Sequence, residues 1–282
     1  MIITLKNEYG TFELDGGKNL FAAAGLGLPS KNTETVTYEG QPGQVTLSAI
    51  DDKRTITLSF DIWGGIAEAE RLLKIVYRPV NIIVRQGTKR RMTYGRCLNP
   101  DEIVRQIRDK LYTVTLQFEC DSPYFTDERE NITPIMQRAD MLPNTEDGEG
   151  LKIQLPVIAT VKSNEKTVRV SGDIPVFPII EIYCKSAQTY TDNGIIITGG
   201  SSAITLNYTM AEGETVTVDL PRRKIISSEN GLITSCISND TVLSDFKLML
   251  GNNSVSVENL NILSEISVTL KYQNNYVLGA IV

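Results

Sequence analysis

The chain reads Tyr112-Thr-Val-Thr-Leu-Gln-Phe-Glu-Cys-Asp-Ser-Pro-Tyr-Phe125 near the end of its first half. Its apolar residues occupy every second position from Tyr112 to Cys120, with Thr, Gln and Glu between them. A period of two puts the apolar set on one face of a β-strand. The strand ends at Asp-Ser-Pro because proline lacks the N–H that a ladder needs. The sequence therefore predicts a half-buried strand and a domain-exit motif formed by Cys120, Pro123, Tyr124 and Phe125.

Two further periods define the first half. Residues 54–62 alternate between apolar and Thr, Ser or Asp positions, which predicts a second strand. Residues 66–77 have apolar side chains at steps of three and four, which predicts one amphipathic helix. The predicted stripe contains Ile66, Ala69, Leu73 and Val76, widened by Leu72. Further strands are expected at 80–84, around 92–96 and at 101–110, and residues 16–45 are expected to be mostly loop with a short strand at 33–38.

The second half predicts almost pure β structure. Short alternating runs are separated by Gly, Asn and Asp turns, as in a β-sandwich or jelly roll. The predicted strands are 151–155, 167–170, 179–183, 195–198, 204–208, 215–220, 246–250, 254–257 and 265–272. Residues 126–150 contain prolines and an acidic run and show no sustained period. We therefore expect an N-terminal β domain at 1–130, a connection at 131–150 and a β-sandwich domain at 151–282.

The composition restricts the chemistry. The chain of 282 residues contains no histidine, so Ser-His and Cys-His nucleophile pairs are excluded. Its four cysteines fit no common zinc spacing and are expected to be reduced and buried. Asp240, Asp245, Asn252 and Asn253 offer oxygen ligands but lack the spacing of a calcium loop. We expect no metal, no cofactor and no enzyme activity.

Basic residues are concentrated in one window. Residues 71–100 contain eight Lys and Arg and no Asp or Glu, a formal charge of +8. The whole chain is at −6, so the other residues sum to −6 minus +8, or −14. Such a window is a solvated face, a docking surface for an acidic partner or another copy of the chain, or a nucleic-acid site. No recognition motif accompanies the charges, and no specific nucleic-acid binding is expected.

Seven segments appear in an order that resembles the distal tail proteins of long-tailed bacteriophages (siphophages), a phage tail component family. The segments are residues 54–62, which begin with a basic residue; Arg71-Leu-Leu73; Cys120-Asp-Ser-Pro-Tyr-Phe125; residues 171–182; residues 212–219; residues 244–253; and residues 268–272 with the late Tyr276. Ser171 departs from the family's usual Asn-containing start. The first 45 residues match only in general character.

The resemblance implies a mainly β adaptor. It implies a β-sandwich or split-barrel-like N-terminal domain with one helix and a galectin-like or jelly-roll C-terminal sandwich. In the family, the first domain forms a hexameric ring between the tail tube protein and the tail fibre or hub protein, and receptor-binding proteins attach to the second domain in some phages. A location in the virion tail follows, after synthesis in the bacterial host cytoplasm, with no membrane span. We expect Arg85, Lys89, Arg90 and Arg91 to line a subunit interface or the channel.

Two other functions compete with this interpretation. The second half is also compatible with a carbohydrate-binding module that recognises a cell-wall glycan, and Trp63 and the tyrosines of the second half are the aromatic residues that could line a sugar site. The third hypothesis is a hydrolase that uses only carboxylates. Asp127, Glu128 and Glu130 are clustered in the sequence, and two acids suffice for glycoside hydrolysis.

Overall fold

The two clearest strands of the sequence pair with each other. β6 (Arg54–Ile62) and β10 (Leu111–Cys120) are antiparallel, with Tyr112 opposite Ile62 and Cys120 opposite Arg54. Alternate residues of both strands are buried, as the period of two predicts.

The structure is a computed structural model. It describes residues 1–16, 21–40, 42–98, 104–108, 110–136, 164–186, 194–200, 202–259 and 265–280. The chain forms two units: Met1–Arg129 together with Asn274–Val282, and Glu130–Gln273. The second unit is thus inserted, in chain order, into the first.

The first unit is built on one antiparallel sheet and one helix. Its elements are β1 (Ile2–Asn7), β2 (Gly10–Asp15), β3 (Phe21–Ala24), β4 (Lys31–Val36), β5 (Val45–Asp51), β6, α1 (Gly65–Val76), β7 (Val80–Gln86), β8 (Lys89–Cys97), β9 (Val104–Arg108), β10, β11 (Phe125–Thr126) and β22 (Asn275–Tyr276). The main strand order is β2-β1-β7-β8-β10-β6-β3, with β9 on β10 and β11 between β8 and β22. β4 and β5 form a separate two-stranded hairpin.

The helix packs on the core of this unit. α1 buries Ala69, Leu72, Ile75 and Val76, which join the apolar side chains of β1, β6, β7 and β10 in one cluster. The predicted stripe is wrong at its edge, because Ile66 is 64% exposed. Residues three and four apart share a helix face, so the face centred on Leu72 takes in Ile75 and leaves Ile66 to one side.

The second unit is a β-sandwich. Its elements are β12 (Asn131–Met136), β13 (Glu165–Val170), β14 (Ile179–Ser186), β15 (Ile195–Gly199), β16 (Ser202–Leu206), β17 (Thr215–Asp219), β18 (Lys224–Ser227), β19 (Gly231–Leu232), a 3-10 helix (Thr234–Cys236), β20 (Gly251–Asn259) and β21 (Glu265–Tyr272). One sheet has the order β12-β21-β14-β17-β18-β19 and the other β13-β20-β15-β16. Buried residues of both sheets form one core cluster. The predicted mainly β fold class, with one helix and a sandwich, is confirmed.

Several segments differ from the sequence prediction, which among other elements did not include β5 and β18. Residues 246–250 bury Phe246 and Leu248 but form no strand, since only Leu248 makes an isolated bridge, to Val176. Residues 16–45 contain β3, whose three alanines have little strand propensity and which pairs with β6. Residues 131–136 of the expected connection form β12. The rest of that connection and the strand expected at 151–155 lie outside the described residues.

Candidate functional site

The predicted basic cluster lies around the β7–β8 turn. Arg85 and Arg90 are directly opposite each other across the two strands, and Gly87 supplies the positive φ of the turn. Like charges opposite each other repel across a sheet. Arg85 and Lys89 are exposed and make no ion pair with the described residues. These two side chains are therefore available to an external acidic group.

The other two arginines of the cluster have partners inside the first unit. Arg90 forms a bidentate ion pair with Glu128, at 2.8 Å from Nη2 to Oε1 and 2.5 Å from Nε to Oε2. The Arg91 guanidinium lies 4.1 Å from the centre of the Tyr276 ring and donates to the carbonyl of Leu278. Arg91 thus contributes to the structure of this unit, and the interface prediction now depends chiefly on Arg85 and Lys89.

Acidic and basic positions lie two strands apart on the first sheet. Glu13 and Asp15 lie on β2 at one edge, and the register Asp15–Ile2–Arg85–Arg90 runs from that edge to β8. Opposite charges at separate places on one surface suit head-to-tail contacts between copies.

The β4–β5 hairpin of the first unit is poorly covered by the rest of the chain that the structure describes. Its strands are almost entirely exposed, and Leu47 and Ile50 are 55% and 69% exposed. None of its residues joins either apolar core cluster. A two-stranded hairpin is marginally stable by itself in water, so exposed apolar side chains here indicate a contact surface.

An open groove of about 510 Å³ lies beside α1. Its lining residues are Tyr9, Leu73, Lys74, Tyr77 and Arg78. The Arg78 guanidinium lies 5.8 Å from the Tyr9 ring centre and 5.7 Å from that of Tyr77. Two cations and two exposed tyrosine rings, with no acid among the described lining residues, suit a carboxylate-bearing surface.

The domain-exit motif surrounds a buried cation, Arg54, which is 3% exposed. Arg54 donates from Nε to the carbonyl of Pro123 at 2.8 Å, and from Nη1 to Gly25 and Gly27 at 2.6 and 2.7 Å. Its Nη2 donates to Val277 at 2.8 Å. Burial lowers the pKa of the guanidinium, but arginine stays ionised in proteins. Carbonyl dipoles therefore replace the water that solvates this charge.

The rest of the exit motif packs around Arg54. The Phe125 ring is fully buried, 4.7 Å below the guanidinium. Tyr124 donates to Asp51 at 2.7 Å, and burial, followed by this bond, raises its pKa to about 12. Burial also raises the pKa of Cys120 to about 11, so the thiol stays protonated and behaves as a small apolar group.

Sequence reasoning used Arg54 only as the basic start of a strand and missed its role. The signal was present: Arg54 has the same parity as Ile56 and Leu58, so the strand period points it toward the core. In the second unit, Glu214 likewise shares the parity of Val216 and is buried.

Glu214 is a buried carboxylate with three hydrogen-bond donors. Its Oε1 accepts from Tyr208 at 2.6 Å and from Ser227, and its Oε2 accepts from the N–H of Ala211 at 2.7 Å. Burial by itself raises the pKa of Glu214, but these bonds outweigh it and the net pKa is lowered. The group is an ionised anchor for the surrounding loops.

Three of the sequence candidates for other chemistry have internal partners. Asp127 accepts from Asn274 and Tyr276, and Glu128 pairs with Arg90. The amide of Asn253 bonds the main chain of Met249 and Gly251. In the described residues, no cluster of His, Cys, Asp or Glu could hold a metal ion. No helix among them is long and apolar enough to cross a bilayer.

These features define a mainly β protein of two units, whose first unit carries charged, aromatic and apolar surfaces. No family model and no curated protein sequence matches the chain. Among solved structures, the chain is similar to the Dit protein (gp 19.1) of phage SPP1, described as a paradigm of the hub adsorption apparatus in phages that infect Gram-positive bacteria. The TM-score is 0.62 at 14% identity, over 97% of this chain and 98% of that chain.

Two structures of the phage P2 baseplate in its activated conformation, with Ca and with Sr, also match. Their TM-scores are 0.48 and 0.47 at 12% identity, over 96% of this chain and 97% of that chain. The likeness to SPP1 Dit confirms, at the level of fold, the resemblance predicted from the sequence.

Proposed function

We infer that the chain is a structural adaptor at the distal end of a bacteriophage tail. The observation that carries this inference is the fold shared with SPP1 Dit, a phage hub protein, over 97% of the chain. The order of sequence motifs supports the same assignment independently of the fold comparison. In this proposal the protein is located in the virion tail and acts through its surfaces.

In this proposal the first unit forms a ring, hexameric by resemblance to the distal tail family. Two observations support contacts between copies: the exposed apolar side chains of the β4–β5 hairpin, and the separation of acidic β2 from the basic β7–β8 turn. A head-to-tail contact uses two different surfaces of each subunit and closes into a ring when the rotation fits.

The remaining surfaces are assigned to other tail proteins. The groove of Tyr9, Lys74, Tyr77 and Arg78 suits an acidic surface on the tail tube protein or the fibre or hub protein. The second unit is assigned to receptor-binding proteins. These partners follow from the resemblance, and the groove supplies a residue-level target for testing them.

Negative-stain electron microscopy and sedimentation of the purified protein test ring formation. We expect rings with a central hole, and we expect Leu47→Asp with Ile50→Asp to reduce their fraction at least tenfold, because the contact buries apolar area. Leu232→Asp, at a side chain that is 66% exposed in the second unit, is the matched control. A monomer at every concentration, or rings that tolerate the hairpin variant as well as the control, contradicts the proposed contact.

A charge-reversal pair tests the basic turn. Arg85→Glu with Lys89→Glu is expected to weaken assembly or tube docking, and the effect should shrink in high salt. Lys166→Glu with Arg169→Glu, on exposed positions of β13, is the control. Arg90 and Arg91 are left unchanged because both have partners within the unit. Equal assembly of both pairs removes the turn from the interface.

A further inference from the structure

The last described residues return to the first unit. The return segment (Asn274–Ala280) follows the whole second unit in the sequence, yet it belongs to the first. Its strand β22 pairs with β11, with Phe125 opposite Tyr276 and Thr126 opposite Asn275. A two-residue strand forms few main-chain hydrogen bonds, so contacts with side chains must supply most of the attraction that holds the return segment on the first unit.

Two arginine side chains of the first unit hold the middle of the return segment. Arg54 donates to the carbonyl of Val277 at 2.8 Å. Arg91 stacks on the ring of Tyr276 at 4.1 Å and donates to the carbonyl of Leu278. Charge-assisted bonds of this kind are stronger than neutral ones.

Asp127 holds the beginning of the segment. It accepts from the Asn274 side chain at 2.7 Å and from the Tyr276 hydroxyl at 2.9 Å. Because Asp127 contacts side chains, its bonds depend on which residues occupy positions 274 and 276. Arg54 contacts only the main-chain carbonyl of Val277, so that bond does not depend on the side chain at position 277.

Close packing holds the end of the segment. The N–H of Gly279 donates to the carbonyl of Leu26 at 2.8 Å. A Cβ at Gly279 would lie 2.4 Å from Cζ of the fully buried Phe125 ring. Only glycine fits at this position without moving the aromatic ring.

We propose that Arg54, Arg91 and Asp127 form a peptide-binding cleft for the return segment, and that filling this cleft completes the first unit. The ligand is a peptide of the form Asn-x-Tyr-x-x-Gly, recognised through two main-chain carbonyls, an amide, a phenol and one glycine. Since the segment follows the second unit, the first unit is completed only after the second has been synthesised.

The test separates the segment from the rest of the chain. A chain that stops after Gln273 is mixed with a synthetic peptide of residues 274–280, and binding is measured by fluorescence anisotropy. We expect saturable binding, and we expect hydrogen exchange in β6 and β11, which is faster in the shortened chain, to slow again. Peptides with Tyr276→Ala or Gly279→Val are expected to bind at least tenfold more weakly. The Val277→Ala peptide is the control and is expected to bind normally, because Arg54 contacts the main chain there.

A second measurement, on the full-length protein, tests the proposal even if the shortened chain does not fold. In the full-length protein, Gly279→Val is expected to raise hydrogen exchange of the return segment at least tenfold, and Val277→Ala is expected to leave it unchanged. Equal exchange in both variants overturns the cleft, as does a shortened chain with full protection of β6 and no affinity for the peptide. Neither readout depends on ring formation.

Discussion

Arg54, the first residue of β6 in the first unit, and Glu214, the residue before β17 in the second, are both buried charges, but they bind different kinds of partner. The Arg54 guanidinium bonds carbonyls that lie 27, 29, 69 and 223 residues away. The Glu214 carboxylate bonds groups 3, 6 and 13 residues away. The cation therefore joins segments that are distant in the chain, whereas the anion fixes one local group of loops.

This difference determines how much of the unit is destabilised when the charged side chain is replaced. Removal of a charge that joins distant segments leaves buried acceptors unpaired in all of them. Removal of a local anchor leaves most long-range strand pairs intact. We therefore expect the first to destabilise a whole unit and the second to loosen one region.

The largest effect is expected from Arg54→Met. The substitution keeps apolar volume over Phe125 but leaves the carbonyls of Pro123, Gly25 and Val277 without their donor. We expect a loss of about 4 kcal/mol in the free energy of unfolding, concentrated in the first unit. Urea unfolding followed by hydrogen-exchange mass spectrometry measures both units separately.

Arg78→Met is the control for this variant. Like Arg54, Arg78 lies beside aromatic side chains, here Tyr9 and Tyr77, but it is exposed and bonds no carbonyl in the described residues. We expect a change below about 1 kcal/mol. If Arg54→Met lowers the free energy of unfolding no more than the control does, the claim that Arg54 stabilises the whole first unit through distant carbonyls is contradicted.

The next effect is expected from Glu214→Gln. An amide keeps one acceptor but places its NH₂ against the Tyr208 hydroxyl or the N–H of Ala211. We expect a loss of about 2 kcal/mol in the free energy of unfolding, with faster exchange confined to the loop before β17 and to β18. Glu212→Gln, at an exposed carboxylate two residues away, is expected to change nothing measurable. Fast exchange throughout the second unit contradicts the local role.

Acid separates the two charges in a single experiment. The pKa of Glu214 is lowered by its hydrogen bonds, so its contribution to stability is complete above the unfolded-state pKa of about 4.3 and is lost as pH falls through the folded value. The Arg54 guanidinium does not titrate in acid. We expect the loops around Glu214 to open below about pH 4 by more in the wild type than in Glu214→Gln, measured by pulse-labelled exchange. Equal acid sensitivity in both proteins contradicts this assignment.

The sequence predicted the secondary-structure elements that carry these charges well, but it did not predict their partners that are distant in the chain. Alternation located β6 and β10, and the helical period located α1, because both signals depend on neighbours within a few residues. The same alternation pointed Arg54 inward. It could not identify Val277 as a partner, since the short pattern of residues 274–280 contains no sign of where that segment binds.

The interaction surfaces show the same limit. Charge counting found the basic window, but Arg90 and Arg91 turned out to face partners that lie 38 and 187 residues away. Their neighbours Arg85 and Lys89 are basic as well, but they have no such partners in the described residues. Composition thus identified the surface, and only the contacts that each side chain makes in the folded chain show which of its charges remain available.

The smallest effect is expected where a charge pair is exposed. Arg90 and Glu128 form a bidentate pair, but the Arg90 side chain is 52% exposed, so water screens the attraction. We expect Arg90→Gln to change the free energy of unfolding by less than about 1 kcal/mol, whereas Arg91→Gln, one residue later, is expected to cost more because it loses the Tyr276 ring and the Leu278 carbonyl. Thermal unfolding of the two variants side by side measures the difference. A larger loss at Arg90 than at Arg91 contradicts the view that long-range contacts to buried or main-chain groups, and not surface ion pairs, stabilise the first unit.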